Sequence, residues 1–219
     1  GLVPVIVNEL SKINLDIDKL KDVKININGC PNACGQHPIG TISLSGMARK
    51  VYNRTVPFYR IYLGGKVDAE NTKLAQPVGI IPARNVPKFI SELVLKMQET
   101  LNVENSTLNN LLTKYSFVPS YEEDKSYYID FGKTEEFSLD GLGQGECGAG
   151  VIDMIQSDLE SAKQSLVKAA EKNYDITEIK NALIYSVRAL LVVRGIDPKD
   201  EKDAIVAFID KFVNSGLSA

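Results

Sequence analysis

The sequence predicts an α+β domain followed by a small antiparallel helical bundle. Three observations carry this: alternating apolar and polar runs lie in the first half, a three-and-four apolar spacing begins near residue 87, and the chain from residue 151 onward is helical in pattern with readable caps. At 219 residues the chain suffices for one large domain or two small ones, and 44% hydrophobic with 24% charged residues is a balance that buries at least one core. A net charge of −3 without any electropositive run excludes a general nucleic-acid binder, because phosphate contacts need a basic face. Its apolar stretches, such as "AIVAFI" and "ALLVV", fall far short of the ~20 residues of a membrane span. Three cysteines without a secretion signal point to a reducing compartment, and we expect a cytoplasmic protein. The first residue is Gly1 and not Met, so the expectation is the later part of a longer polypeptide.

Residues 23–28, "VKININ", alternate Val23, Ile25 and Ile27 with Lys24, Asn26 and Asn28, the pattern of a half-buried strand. Further strands are expected at "TISLSG" and "FYRIYLG", rich in β-branched or aromatic residues and bounded by Gly or Pro. After "QPVGIIPARNV" the pattern turns helical. Pro87 suits a first helical turn, and Phe89, Ile90, Leu93, Val94 and Met97 follow at helical spacing. A shorter helix is expected near Ser106, carrying Leu108, Leu111 and Leu112. Residues 1–116 thus read as one α+β unit. From 117 to 150 periodicity disappears, and the segment reads as an aromatic and Gly-rich connector. Its Tyr121, Tyr127, Tyr128, Phe131 and Phe137 are expected to pack on a domain.

Residues 151–219 read as a three-helix bundle. Val151, Ile152, Ile155, Leu159, Ala162, Leu166 and Ala169 form the expected inward face of its first helix. "DITE", 175–178, is a capping-box-like start for a second, whose inward face would carry Ile179, Ala182, Leu183, Ser186, Ala189, Leu190 and Val193, with Gly195 as its left-handed stop. Pro198 is the expected start of the third, with Ala204, Ile205, Phe208, Ile209 and Phe212 inward.

The chemistry concentrates in "NGCPNACGQHPIG", residues 28–40, where Cys30 and Cys34 flank a Pro-Asn turn directly after a strand. Zinc sites usually take four ligands, and Cys30, Cys34 and His37 supply at most three. Thioredoxin-like chemistry uses C-x-x-C at a helix start, a different spacing. An iron–sulfur cluster suits thiolates on tight turns with Gly and Pro, and two further ligands would be needed. Residue types alone leave these alternatives open.

The stretch "GCPNACGQHPIGTISLSG" resembles the second half of the cluster-binding signature of the sirohaem nitrite and sulfite reductases, "FYRIYLGG" that family's next strand, and "PVGIIPARNVPKFI" its closing segment before a helix. The resemblance covers roughly residues 20–100. It implies a nitrite/sulfite reductase-type α+β domain, an oxidoreductase that reduces sulfite to sulfide or nitrite to ammonia with six electrons, and two cofactors, a 4Fe-4S cluster and sirohaem. Cys30 and Cys34 would then be two metal-binding thiolates of the cluster, Cys34 the one shared with the sirohaem iron. Gly29 and Gly35 would let the backbone approach the cofactor, Asn32 would stand against the cluster or macrocycle edge, and His37 would donate to the cofactor or remain a polar turn residue. Arg49, Lys50, Arg54 and Arg60 follow as a basic cluster that would suit the sirohaem carboxylates, exposed surface charge being the plainer expectation.

No cysteine precedes Cys30, whereas the family carries an upstream C-x5-C pair. The resemblance therefore implies that the upstream half of the same polypeptide is a partner supplying the other two cysteines, that this chain is incomplete and inactive alone, and that the electron donor is a ferredoxin or a flavoprotein. Asn28, Thr41 and Ser43 depart from the family, which favours Ser, Thr or Val, then Asp or Glu, then Gly or Ala at these places. Cys147, in "GECGAG", is expected to be a small buried residue or a reactive thiol at a helix start. The helical end faintly resembles HEPN-type domains. Their nuclease members use Arg and a nearby His, and no histidine follows His37, so we expect an interaction, electron-donor docking or homo-oligomer role. The rival to the enzyme is a non-catalytic binding module on a degenerate reductase domain.

Overall fold

The computed structural model describes residues 1–139 and 149–216. Among them it is a mixed α+β chain with one four-stranded sheet and seven α-helices, divided into two units. Unit 1 comprises Gly1–Met47 and Val56–Phe137, and unit 2 comprises Ala48–Thr55 and Ser138–Ala219.

The order of elements in unit 1, whose β2–β3 tip (Ala48–Thr55) belongs to unit 2, is α1 (Leu2–Leu10), α2 (Ile17–Leu20), β1 (Ile25–Asn28), β2 (Ile42–Val51), β3 (Arg54–Leu63), β4 (Gln76–Pro82), α3 (Val86–Glu99) and α4 (Asn105–Tyr115). The sheet order is β1-β2-β3-β4. β1 and β2 run parallel with Asn26 opposite Ser43 and Asn28 opposite Ser45, so the segment between them is a crossover. β2 and β3 are joined at Tyr52 and Asn53, both at positive φ (48° and 61°), the two-residue turn that matches strand twist.

β4, antiparallel to β3, is a strand beyond those expected from the sequence. It is the sheet edge, where Pro77 and Pro82 remove no ladder bond that a central strand would need. α1 and α2 are likewise elements beyond those expected. α1 lays Leu2 and Ile6 against α3, whose Phe89, Ile90 and Leu93 are fully buried with Ile42, Leu44, Ile61 and Ile81 from the sheet. Burial of these side chains contributes on the order of 2 kcal/mol each and is the main support of the unit. Residues beyond α4 dock on it: Tyr128 is fully buried with its hydroxyl on Pro119 O (2.9 Å), and the Tyr127 hydroxyl donates to Asn85 Oδ1 (2.7 Å).

Unit 2 holds α5 (Ala149–Glu171), α6 (Ile176–Val193) and α7 (Glu201–Phe208), the last extended by a π-turn over Ile209–Val213. The Asp175 carboxylate caps α6 by accepting from Thr177 N and Glu178 N, as the sequence pattern indicates. Gly195, at φ 72°, ends α6 with its own N–H on Val192 O and that of Ile196 on Leu191 O, the double bond of a Schellman stop.

Three expectations are corrected. α7 starts at Glu201 and not at Pro198, because Asp200 supplies the cap to Asp203 N. The buried strip of α5 is Val151, Met154, Asp158, Ala162, Ser165 and Ala169, while Ile152, Leu159 and Leu166 face solvent. On α6 Leu183 and Leu190 are exposed, and Ile184, Val187, Arg188, Leu191 and Val192 are buried. Asp158 and Arg188, paired at 3.0 Å, set this rotation, and Ala162, Ala169, Ala182 and Ala189 on the two buried strips suit close helix approach.

Candidate functional site

β1 turns Ile25 and Ile27 into the core of unit 1, so Asn26 and Asn28 share its opposite face. That face is roofed by the crossover, and Asn28 is 5% exposed. The crossover leaves β1 at Gly29, passes Cys30 (half-buried), Asn32 and Cys34 (both exposed), and re-enters through a 3-10 turn over His37–Ile39. Both cysteines are free thiols. Ala33 and Gln36 take positive φ (58° and 56°), and Gln36 N closes the turn on Ala33 O at 2.7 Å. Cys34 Sγ lies 3.9 Å from Asn32 O.

Two close approaches require glycine. A Cβ on Gly46 of β2 would collide with Gly29 O, and one on Gly35 would collide with Asn28 Oδ1 and Ile27 O. The cysteine turn therefore lies directly on its own sheet.

His37 points inward and is 6% exposed. Its Nδ1 lies 3.0 Å from Asn28 Nδ2, and its ring tilts on Tyr62 with centroids 5.0 Å apart. An amide nitrogen only donates, so Nδ1 is the acceptor and the neutral ring carries its proton on Nε2. Burial holds the His37 pKa below its ordinary value. Asn28 Oδ1 and Ser43 Oγ are buried on this face without a hydrogen-bond partner.

The structure thus places Gly29, Cys30, Asn32, Cys34, Gly35 and His37 on one segment, with Cys34 exposed, Cys30 half-buried and the imidazole buried. Of the basic cluster, Lys50 is corrected from surface charge: its side chain is 5% exposed and its ammonium pairs with Asp197 in unit 2. Arg49, Arg54 and Arg60 are half-buried. Cys147 lies outside the described residues. A cleft of about 780 Å³ in unit 1, lined among others by Lys24, Thr41, Leu63, Lys66 and Val103, includes neither Cys30 nor Cys34. Sequence reasoning missed Asn26 and Asn28 as contributors to the site. The alternation of "VKININ" puts both on one face, which was the available signal.

Among the described residues no three His, Cys, Asp or Glu side chains gather as a metal site. Two thiols on a tight turn fit half of a four-thiolate iron–sulfur donor set in kind and in number. No described helix is long and apolar enough to cross a membrane.

The chain is partly similar to known oxidoreductases. It is 26% identical over 84 residues to a ferredoxin–nitrite reductase of Synechococcus elongatus, covering 38% of this chain and 16% of that protein. Similarity to sulfite reductase (ferredoxin) 2 of Mycolicibacterium paratuberculosis is 32% over 72 residues, 32% of this chain and 13% of that protein. A chloroplastic ferredoxin–nitrite reductase of Pinus sylvestris is 29% identical over 90 residues, 39% of this chain and 86% of that sequence. The chain therefore contains a region related to nitrite and sulfite reductases, and the match spans less than a fifth of the first two. No protein-family model matches it.

Proposed function

We propose that this chain is part of a sirohaem-dependent reductase that converts sulfite to sulfide or nitrite to ammonia, with unit 1 built on that family's α+β fold. The carrying observation is the pair of free thiols, half-buried Cys30 and exposed Cys34, on a glycine-flanked turn directly after β1. The partial similarity to reductases of both substrates supports it. Cys30 and Cys34 would hold one side of a 4Fe-4S cluster, with Cys34 as the thiolate shared with the sirohaem iron. The upstream half of the polypeptide would add the other two cysteines. When bound, these groups supply electron storage and a substrate-binding iron. The chain's own part is to present two thiolates, to bring backbone close at Gly29 and Gly35, to offer the exposed Asn32 to the cluster edge and to keep the His37 ring neutral. Electrons would come from a ferredoxin or flavoprotein.

The test is iron content with the visible spectrum of this chain produced with its upstream region. A tetrapyrrole band with roughly five irons per chain is expected, four for the cluster and one for the haem. A colourless protein, under conditions that load another sirohaem enzyme, overturns the reading.

A second reading, a binding module that pairs with a second copy of itself, is favoured by unit 2. Ile152, Leu159 and Leu166 on α5 and Ile176, Leu183 and Leu190 on α6 are exposed by 45–77%. At 100° per residue the α5 strip follows that helix's buried strip by one residue, about +100°, and the α6 strip precedes its buried strip by one residue, about −100°. In an antiparallel pair, opposite rotations bring the two strips to opposite sides. Each strip is apolar and free of charge at its three positions, so an identical strip on a second copy matches it better than a charged electron carrier does. Sedimentation of the chain with Leu159→Lys and Leu183→Lys, monomeric where the parent is dimeric, would support this reading. A parent that stays monomeric at high concentration removes it.

A further inference from the structure

The departure of Asn28 from the reductase pattern acquires a physical role under the cysteine turn. A carboxamide presents a donor and an acceptor on two separate atoms at the end of one short side chain, where a hydroxyl has both on a single oxygen. In Asn28 each arm faces the segment that leaves Cys34, one its His37 ring and the other its Gly35 backbone. Nδ2 meets His37 Nδ1 at 3.0 Å, and Oδ1 faces the Gly35 Cα at the place where any other residue would carry its Cβ. A hydrogen fits there and a carbon does not, so Asn28 and Gly35 interlock. Asn26, two residues earlier on the same strand face, adds a second tie from its Nδ2 to Gln36 O at 2.8 Å. The positive φ of Gln36 is thereby held between two strand side chains. Serine, threonine or valine at 28 would lack either reach or the second arm.

We propose that Asn28 is a positioning residue for the thiol pair: with His37 and Gly35 it locks the exit of the cysteine turn onto β1 and so fixes the spacing of Cys30 and Cys34. This rests on the reading of these thiols as ligands that act together. In β1 the pairing of Asn28 with Ser45 of β2 holds the clamp itself on the ladder. His37 is held in turn by Tyr62 and by Pro38 O, which accepts from Ala75 N at 2.7 Å one residue further on.

The experiment is a double-mutant cycle read by cadmium binding. In the Cys147→Ser chain, Cd²⁺ is titrated and followed by its thiolate charge-transfer absorption for the parent, Asn28→Ala, His37→Ala and the double variant, with Cys30→Ser/Cys34→Ser as the blank. Each single variant is expected to weaken Cd²⁺ binding roughly fivefold, the worth of one buried hydrogen bond, and the double variant no more than either. The ¹⁵N signal of His37 Nδ1 should move from an accepting to a free position in Asn28→Ala. Unchanged Cd²⁺ affinity in Asn28→Ala with the His37 signal moved, or additive losses in the cycle, overturns the clamp. Asn28→Ser, the milder change, replaces Asn28→Ala in the cycle where the latter does not fold. Iron never loading beside a non-additive cycle removes the reductase reading alone. Full iron loading beside an additive cycle removes the clamp alone.

Discussion

The Lys50 ammonium stands 2.5 Å from Asp197 Oδ1 with the two side chains 5% and 4% exposed. Lys50 also donates to Pro198 O at 2.8 Å, and Asp197 Oδ2 accepts from Thr55 Oγ1 at 2.6 Å and from Leu139 N at 3.3 Å. The tip of the β2–β3 hairpin is thus part of unit 2 by a buried ion pair. Burial lowers the Lys50 pKa, although Asp197 pulls it up. Removing the cation leaves a buried carboxylate whose charge is uncompensated. Lys50→Met is expected to destabilise the chain by about 3–5 kcal/mol in urea unfolding, and Lys50→Met/Asp197→Leu to lose less than Lys50→Met alone.

Asp158 lies beside this pair, held to Arg188 at 3.0 Å with both side chains 4% exposed. Burial lifts its pKa to about 6, against the pull of Arg188 and Lys50 and with a small push from Asp197. A carboxyl whose folded pKa is raised binds its proton more tightly folded than unfolded. Its contribution is therefore fully present below about pH 4 and is lost as the pH rises to about 6, a change of order 3 kcal/mol. The stability difference between the parent and Asp158→Asn should fall over that window, with the Asp158 carboxyl ¹³C signal titrating near 6.

The two thiols differ in exposure, and alkylation should read this directly. Cys34 is exposed and Cys30 half-buried, so in the Cys147→Ser chain mass spectrometry after brief iodoacetamide treatment should find the label on Cys34 first. Equal labelling would mean that the turn opens faster than it reacts.

Gly46 is where β2 makes room for the cysteine turn. Gly46→Ala drives a methyl into Gly29 O and should cost about 1–3 kcal/mol by thermal unfolding. The cysteine turn should be displaced as well, seen as faster amide exchange at Gln36, whose N–H is bound to Ala33 O.

Much of this was legible in the residues, and the exceptions share a cause. Asp175 and Gly195 act locally, through their own backbone neighbours, and their roles were plain from type and spacing. β4 was hidden because local proline chemistry argues against strands in general, and only the sheet order makes it an edge. The faces of α5 and α6 were misread because each carries two apolar strips. A buried ion pair between Asp158 and Arg188, thirty residues apart, chose between them. Asn28 reads from sequence as a mere departure because its partners, Gly35 and His37, come after a turn whose path periodicity does not describe. The cysteines, by contrast, drew attention by chemistry alone.

The parallel pairing of β1 with β2 also bears on the order in which the chain matures. The β2–β3 hairpin closes through neighbours in sequence, and its left-handed Tyr52-Asn53 corner can form early. β1 must instead wait until the whole segment from Gly29 to Thr41 has looped back, at a greater entropic cost. The cysteine turn is that loop. Its thiols become a preshaped pair only once the sheet has zipped, so under the proposed ligand role a nascent chain would offer metal two independent sulfurs first and a chelate last.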